Sequence, residues 1–173
     1  MRRLILLRHA KAGPKTGADI DRPLAPRGRE AAARMGAYLR DEELLPELAL
    51  VSDSRRTRET WDLVRPFLGD AQARFERRIY EALPARLLTV VREVEPSVRT
   101  LLMIGHNPGF HELAQRLVGH GEDDALADLK KRFPTAAVAV IDFAVDAWAD
   151  VDAGGGRLDR FVTPKALGAG EDD

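Results

Sequence analysis

Three places in this chain carry residues that could do chemistry together. They are Arg8-His9, then Ser52-x-x-x-Arg56-x-x-x-Thr60, then Gly105-His106-Asn107-Pro108. An arginine presents a fixed fork of donors to a phosphate or carboxylate and keeps its charge at any working pH. Two arginines brought to one point make an anion pocket. A neutral imidazole is a nucleophile toward phosphorus and can carry a covalent intermediate. Phosphoryl transfer asks mainly for in-line positioning and for charge stabilisation on the equatorial oxygens. One histidine attacking and a second holding a phosphoryl oxygen would meet that need without a metal.

Whether these groups meet depends on the elements that carry them. Residues 3–7 form a continuous apolar run, which predicts a strand buried on both faces and ending at Arg8-His9. Residues 48–51 and 100–104 predict two more buried strands, ending at Ser52 and at Gly105-His106. Helical apolar spacing predicts helices over 28–40, 55–68, 87–94 and 111–118. Ser52 is read as the N-cap before the second of these, and Thr60 as packing support. A more exposed strand is predicted over 74–80, an apolar strand over 136–143, and an edge strand over 158–162 after a Gly154–Gly156 turn. Glu122-Asp123-Asp124 reads as a solvated loop.

Strands alternating with helices predict an α/β fold: three layers, α/β/α, around a mostly parallel central sheet. The chain reads as a single domain over 1–165 with a flexible C-terminal tail over 166–173. In such a sheet, ligands bind beyond the carboxyl ends of the strands. An ordinary buried strand with a polar end would explain any one of the three termini. Arg8, His9, Arg56 and His106 arriving at one edge from three strands point to a site.

Composition narrows the function classes. With 173 residues, 45% hydrophobic and 32% charged, the chain has the profile of a folded globular domain. A net charge of -1 gives no overall signal for nucleic acid or an acidic membrane surface. The absence of cysteine removes disulfides, thiol catalysis and cysteine metal sites, and fits a cytoplasmic setting. No apolar run approaches the roughly 18 residues of a membrane span. Met1-Arg2-Arg3 resembles the start of a signal peptide, but Arg8 interrupts too short an apolar run. No metal site and no cofactor is expected. His106 and His111 are five apart and do not share a helix face; His111 and His120 read as surface or helix residues.

Taken in order, the three motifs resemble the histidine phosphatase superfamily, the phosphoglycerate mutase-like fold. Within it they are most similar to the bacterial phosphohistidine phosphatase (SixA-type) branch. Asp19-x-x-Arg22-Pro23-Leu24, Arg27-Gly28, Leu87-Leu88, Phe133-Pro134-Thr135, Trp148 and Phe161 extend the likeness over about 3–164. The resemblance implies that His9 is the phosphorylated nucleophile. It implies that Arg8 and Arg56 hold the phosphoryl oxygens, with His106 completing the pocket. Asp19, Arg22 and Asn107 are further candidates for substrate contacts. Lys11, two residues past His9, either extends the positive field or is solvated.

One departure bears on the substrate. Relatives acting on sugar or glycerate phosphates carry a glutamate acid at a position that aligns with Arg77 here. Glu76 and Glu81 are nearby candidates, but a one-residue shift on a strand turns a side chain to the other face. Asp19, in the loop after the nucleophile strand, is a third. A site without a firm acid suits a substrate whose leaving group departs easily, such as phosphohistidine. The chain is also short of the insertions that roof the pocket in the mutases, and an open pocket admits a bulky protein substrate and water. The expected activity is therefore a metal-independent phosphatase acting on protein phosphohistidine in phosphorelay signalling. The alternatives are a small-metabolite or broad-specificity phosphomonoesterase, or a phosphate or phosphopeptide binder without turnover.

Overall fold

The computed structural model describes residues 1–170. Its elements are β1 (Arg2–Arg8), α1 (Pro26–Asp41), β2 (Leu48–Ser52), α2 (Arg55–Val64), β3 (Gln72–Glu76) and α3 (Pro84–Arg92). They continue with β4 (Thr100–Gly105), α4 (Gly109–Leu117), β5 (Val118–Gly121), α5 (Asp123–Lys131), β6 (Val138–Phe143) and β7 (Gly156–Val162). The strands form one seven-stranded sheet in the order β3-β2-β4-β1-β6-β7-β5. Every pairing is parallel except the two made by β6, so only β6 runs against the rest.

The central strands are apolar on both faces because both faces are covered. Along β1, Leu4 and Leu6 join a core with α3, α4 and α5; Ile5 and Leu7 join a core with α1 and α2. This is the predicted three-layer α/β/α arrangement. The strand order puts β4 between β1 and β2, so the three strands that carry the motifs are adjacent and end at one edge.

Several local expectations change. Ser52 is the last residue of β2; the cap of α2 is Ser54, whose hydroxyl accepts from Thr57 N–H while Thr57 Oγ1 accepts from Ser54 N–H. The third strand ends at Glu76, and a 3-10 turn follows over Arg77–Ile79. Asp123 and Asp124 form the first turn of α5 rather than a loop. Acidic side chains are favoured there by the helix dipole. The 158–162 strand is internal: β5 pairs with β7 on its outer side and takes the edge. Lys165–Leu167 forms a 3-10 turn with Leu167 against the α1/α2 core, and residues 171–173 of the expected tail lie outside the described residues. Among the described residues, no helix is long and apolar enough to cross a membrane.

Two devices position the loop after β1. Ala136, at φ 59, donates its N–H to the carbonyls of both Arg8 and His9 at 3.0 Å. Gly28 lets the start of α1 lie on that loop: a Cβ there would stand 2.1 Å from the Lys11 carbonyl oxygen.

Candidate active site

His9 follows β1 and is buried, 7% exposed. Its Nδ1 lies 2.8 Å from the Ala10 carbonyl oxygen. A carbonyl only accepts, so Nδ1 carries the hydrogen and Nε2 keeps its lone pair. Burial pushes the His9 pKa well below the usual histidine value, and the charges of Arg8 and Arg56 add to that. Its backbone is fixed from three sides. His9 N–H donates to Gly105 at 3.0 Å, Ala10 N–H to Thr60 Oγ1 at 3.0 Å, and Thr60 Oγ1 in turn to the Arg56 carbonyl at 2.8 Å. Thr60 therefore couples the nucleophile loop to the helix carrying Arg56, a role beyond packing.

His106 stands across the pocket, with its ring centroid 5.4 Å from that of His9. Its Nε2 is 2.7 Å from Ser52 Oγ, and its Nδ1 is 3.4 Å from Arg56 Nη2. Arginine only donates, so Nδ1 accepts and the Nε2 hydrogen goes to Ser52. Burial first, and Arg56 second, lower the His106 pKa to about 3. Both imidazoles are therefore neutral at neutral pH.

Arg56 is 7% exposed and makes two contacts with Asp19: Nη1 to the carbonyl at 2.9 Å and Nη2 to Oδ2 at 3.0 Å. The same Oδ2 accepts from the Tyr80 hydroxyl at 2.6 Å. The Tyr80 bond and Arg56 hold the Asp19 pKa at about 2, while burial and Asp19 push Tyr80 up to about 12. The Tyr80 ring also meets the His106 ring edge-on at 5.4 Å. Arg8 Nη1 donates to the Phe133 carbonyl at 3.0 Å.

The structure thus gathers Arg8, His9, Arg56, His106 and Asp19 in one place. Others serve it differently. Asn107 spends its amide on the Phe133 carbonyl at 2.9 Å and accepts from His111 N–H at 3.3 Å, so it shapes the turn. Arg22 donates to the Gly13 carbonyl at 3.2 and 3.0 Å and approaches Asp19 Oδ1 at 3.7 Å, bracing the loop. Both Glu76 oxygens are taken by Arg78, at 3.0 and 3.1 Å. Glu81 lies at φ 54 beside a cavity lined by Ala82, Leu83 and Arg86. His111 donates from Nε2 to the Leu129 carbonyl at 2.5 Å, as a helix residue.

Two contributors escape a reading from sequence. Tyr80 acts through Asp19, 61 positions away in sequence, and only the aromatic residue just past β3 hinted at it. Phe133 contributes its carbonyl, which no residue type announces.

Chemically, the pocket offers a bare imidazole nitrogen at His9, two guanidinium groups and a second neutral imidazole. A tetrahedral oxyanion is the natural occupant.

The model of the histidine phosphatase superfamily (branch 1) matches residues 4–140. An uncharacterized protein of Mycobacterium tuberculosis is 38% identical over 162 residues, 92% of this chain and 100% of that protein. A structure from Nakamurella multipartitia, assigned as a phosphohistidine phosphatase SixA, superposes with TM-score 0.84 at 30% identity, covering 94% of this chain and 96% of that one. A second with the same assignment, from Agrobacterium tumefaciens, gives TM-score 0.80 at 27% identity, covering 94% and 98%.

Proposed function

Because the chain belongs to the histidine phosphatase superfamily, we propose that it hydrolyses phosphohistidine on proteins through a phosphorylated His9. In the first step solvent protonates the free ring nitrogen of the substrate phosphohistidine, His9 Nε2 attacks phosphorus, and the P–N bond breaks to release neutral imidazole. In the second step water attacks phospho-His9 and inorganic phosphate leaves, restoring the free imidazole. Arg8 and Arg56 would hold the equatorial oxygens in both steps. Likeness to two structures assigned to the SixA type supports the substrate class.

One observation carries the choice of substrate: among the described residues, none of His9, His106, Asp19 and Tyr80 has a proton placed for a leaving group. His9 Nε2 is bare, His106 Nδ1 faces a donor, and Asp19 is ionised with a pKa of about 2. The Tyr80 hydroxyl hydrogen is already committed to Asp19. An alkoxide needs an acid badly, since its conjugate acid has a pKa on the order of that of water, about 15.7. The second ring nitrogen of phosphohistidine has a pKa in the ordinary histidine range, about 6.5, so solvent can protonate it and the ring departs as neutral imidazole. This activity would act in the cytoplasm.

The test is rapid-quench labelling with a phosphohistidine protein. The expected result is an acid-labile, base-stable label on the enzyme that disappears in His9→Ala. Phosphate binding without turnover of any phosphorylated compound would sink the reading. A kcat/KM that strongly favours sugar phosphates over phosphohistidine would replace the substrate class.

A further inference from the structure

One carbonyl oxygen joins the two halves of the phosphoryl pocket. Phe133 O accepts from Arg8 Nη1 at 3.0 Å and from Asn107 Nδ2 at 2.9 Å. A carbonyl oxygen has two lone pairs, and these two donors take both. Arg8 stands at the end of β1; Asn107 stands in the turn after β4, next to His106.

The segment that supplies this oxygen also grips the rest of Arg8. Arg8 N–H donates to the Ala137 carbonyl at 3.2 Å, and the Arg8 carbonyl accepts from Ala136 N–H at 3.0 Å. Residues 133–137 therefore set both the backbone and the side chain of Arg8. The segment is braced from α4: the buried Phe133 ring meets the His111 ring edge-on at 6.3 Å, and His111 Nε2 donates to the Leu129 carbonyl at 2.5 Å. The orientation of Asn107 is fixed as well. Its Oδ1 accepts from His111 N–H at 3.3 Å, one of the donors at the start of α4 that no helical carbonyl reaches, so its NH2 end faces Phe133.

We propose that Asn107 is a positioning residue for Arg8. Through the shared Phe133 oxygen it fixes where the Arg8 guanidinium stands relative to His106, and it does so without touching the substrate. A guanidinium grips a phosphoryl group through a rigid fork, so its alignment decides how much of that grip is realised. This role rests on the function proposed above, in which Arg8 holds phosphoryl oxygens. An Asn107 that only shaped its turn would cost stability when removed and leave Arg8 in place. An Asn107 that touched the substrate would be missed whether or not Arg8 was present.

The test is a double-mutant cycle of Asn107→Ala and Arg8→Ala, with melting curves to establish that each variant is folded. Two quantities are read: kcat/KM for phosphohistidine, and the nitrogen-15 signal of Arg8 Nε–H in ligand-free protein. Asn107→Ala alone should lower kcat/KM by about tenfold to a hundredfold, the scale of a displaced positioning group. In the Arg8→Ala background the same change should cost less than about twofold, because residues that act through one another are not additive. The Arg8 Nε–H signal should shift or broaden in Asn107→Ala. If that variant fails to fold, Asn107→Ser takes its place, since serine is favoured near helix starts and is too short to reach Phe133. Equal losses in the two backgrounds overturn the role, as does an Arg8 signal that stays where it was. If the wild type turns over no phosphohistidine, the proposed function falls; the Kd for inorganic phosphate then replaces kcat/KM in the cycle, and the Arg8 signal still decides the role of Asn107.

Discussion

Ser52 Oγ stands 2.7 Å from His106 Nε2, across the adjacent strands β2 and β4. The contact decides which nitrogen of His106 faces the pocket as a lone pair. With Nε2 donating to Ser52, Nδ1 is left to accept, and Arg56 Nη2 fills that place. The ring is therefore held in one orientation and is neutral, with its hydrogen on Nε2.

Ser52→Ala should release this ring. A buried donor left without its acceptor costs about 1–3 kcal/mol. If that loss falls on the transition state, kcat/KM drops about tenfold to a hundredfold. Steady-state kinetics and the imidazole nitrogen chemical shifts check both parts: the rate should fall and the His106 tautomer should become mixed. Unchanged shifts with a full-rate enzyme would contradict the role.

Stability should fall as the solution turns acidic. A histidine with a lowered folded pKa binds fewer protons folded than unfolded, so acid favours unfolding between the two values. For His106 that window runs from 6.5 down to about 3, and His9 shifts in the same direction. Asp19 adds its share lower, as pH falls from 3.8 toward about 2. The slope below pH 6.5 should approach, at most, about 1.4 kcal/mol per pH unit for each histidine. Thermal melts from neutral pH to about pH 4 measure it, and His106→Gln should flatten the curve. Activity has the complementary signature: beyond the titration of the substrate itself, kcat/KM should show no step in the ordinary histidine range near pH 6.5, because neither imidazole of the site titrates there.

Gly28→Ala tests how firmly α1 seats the nucleophile loop. The added Cβ would meet the Lys11 carbonyl at 2.1 Å, a backbone atom with no rotamer to yield. Forcing the helix off the loop costs about 1–3 kcal/mol. Chemical denaturation should report that loss, and kcat should fall with it because Lys11 is two residues from His9. A variant as stable as the parent would show that the contact relaxes freely.

Much of this site was legible because strand-end residues inherit their place from the strand. Leu4 to Leu7, Leu48 to Val51 and Leu101 to Ile104 are buried on both faces, and such runs advertise themselves. Their adjacency then follows from parallel α/β topology. What stayed hidden depends on contacts that composition does not encode. Val118–Gly121 has two glycines and a histidine, so nothing in it alternates, and Leu129 is the only buried residue of α5. Ser52 and Ser54 are equally good caps by type; only register, which turns Ser52 toward His106, separates them. Tyr80 lies beyond an edge strand and acts through an aspartate from another loop.

Asp19→Asn separates two roles for the carboxylate nearest the pocket. As a general acid, Asp19 would matter most for poor leaving groups, and its loss would fall hardest on alkyl phosphates. As a positioning group, it holds Arg56 through the 3.0 Å contact and is held by Tyr80, so its loss would fall alike on every substrate. Its pKa of about 2 leaves it without a proton to donate at neutral pH, which favours positioning. A hydrogen bond to a charged group is worth about 1.5–3 kcal/mol, so kcat/KM should drop about tenfold to a hundredfold. The measurement is kcat/KM for phosphohistidine, p-nitrophenyl phosphate and an alkyl phosphate. The three ratios of variant to wild type should agree. A steepened dependence on leaving-group pKa in Asp19→Asn would make Asp19 the acid and reopen the phosphomonoesters as substrates. Tyr80→Phe gives the matching control: removing the second hydrogen bond to Asp19 should lower kcat/KM less, again by one common factor.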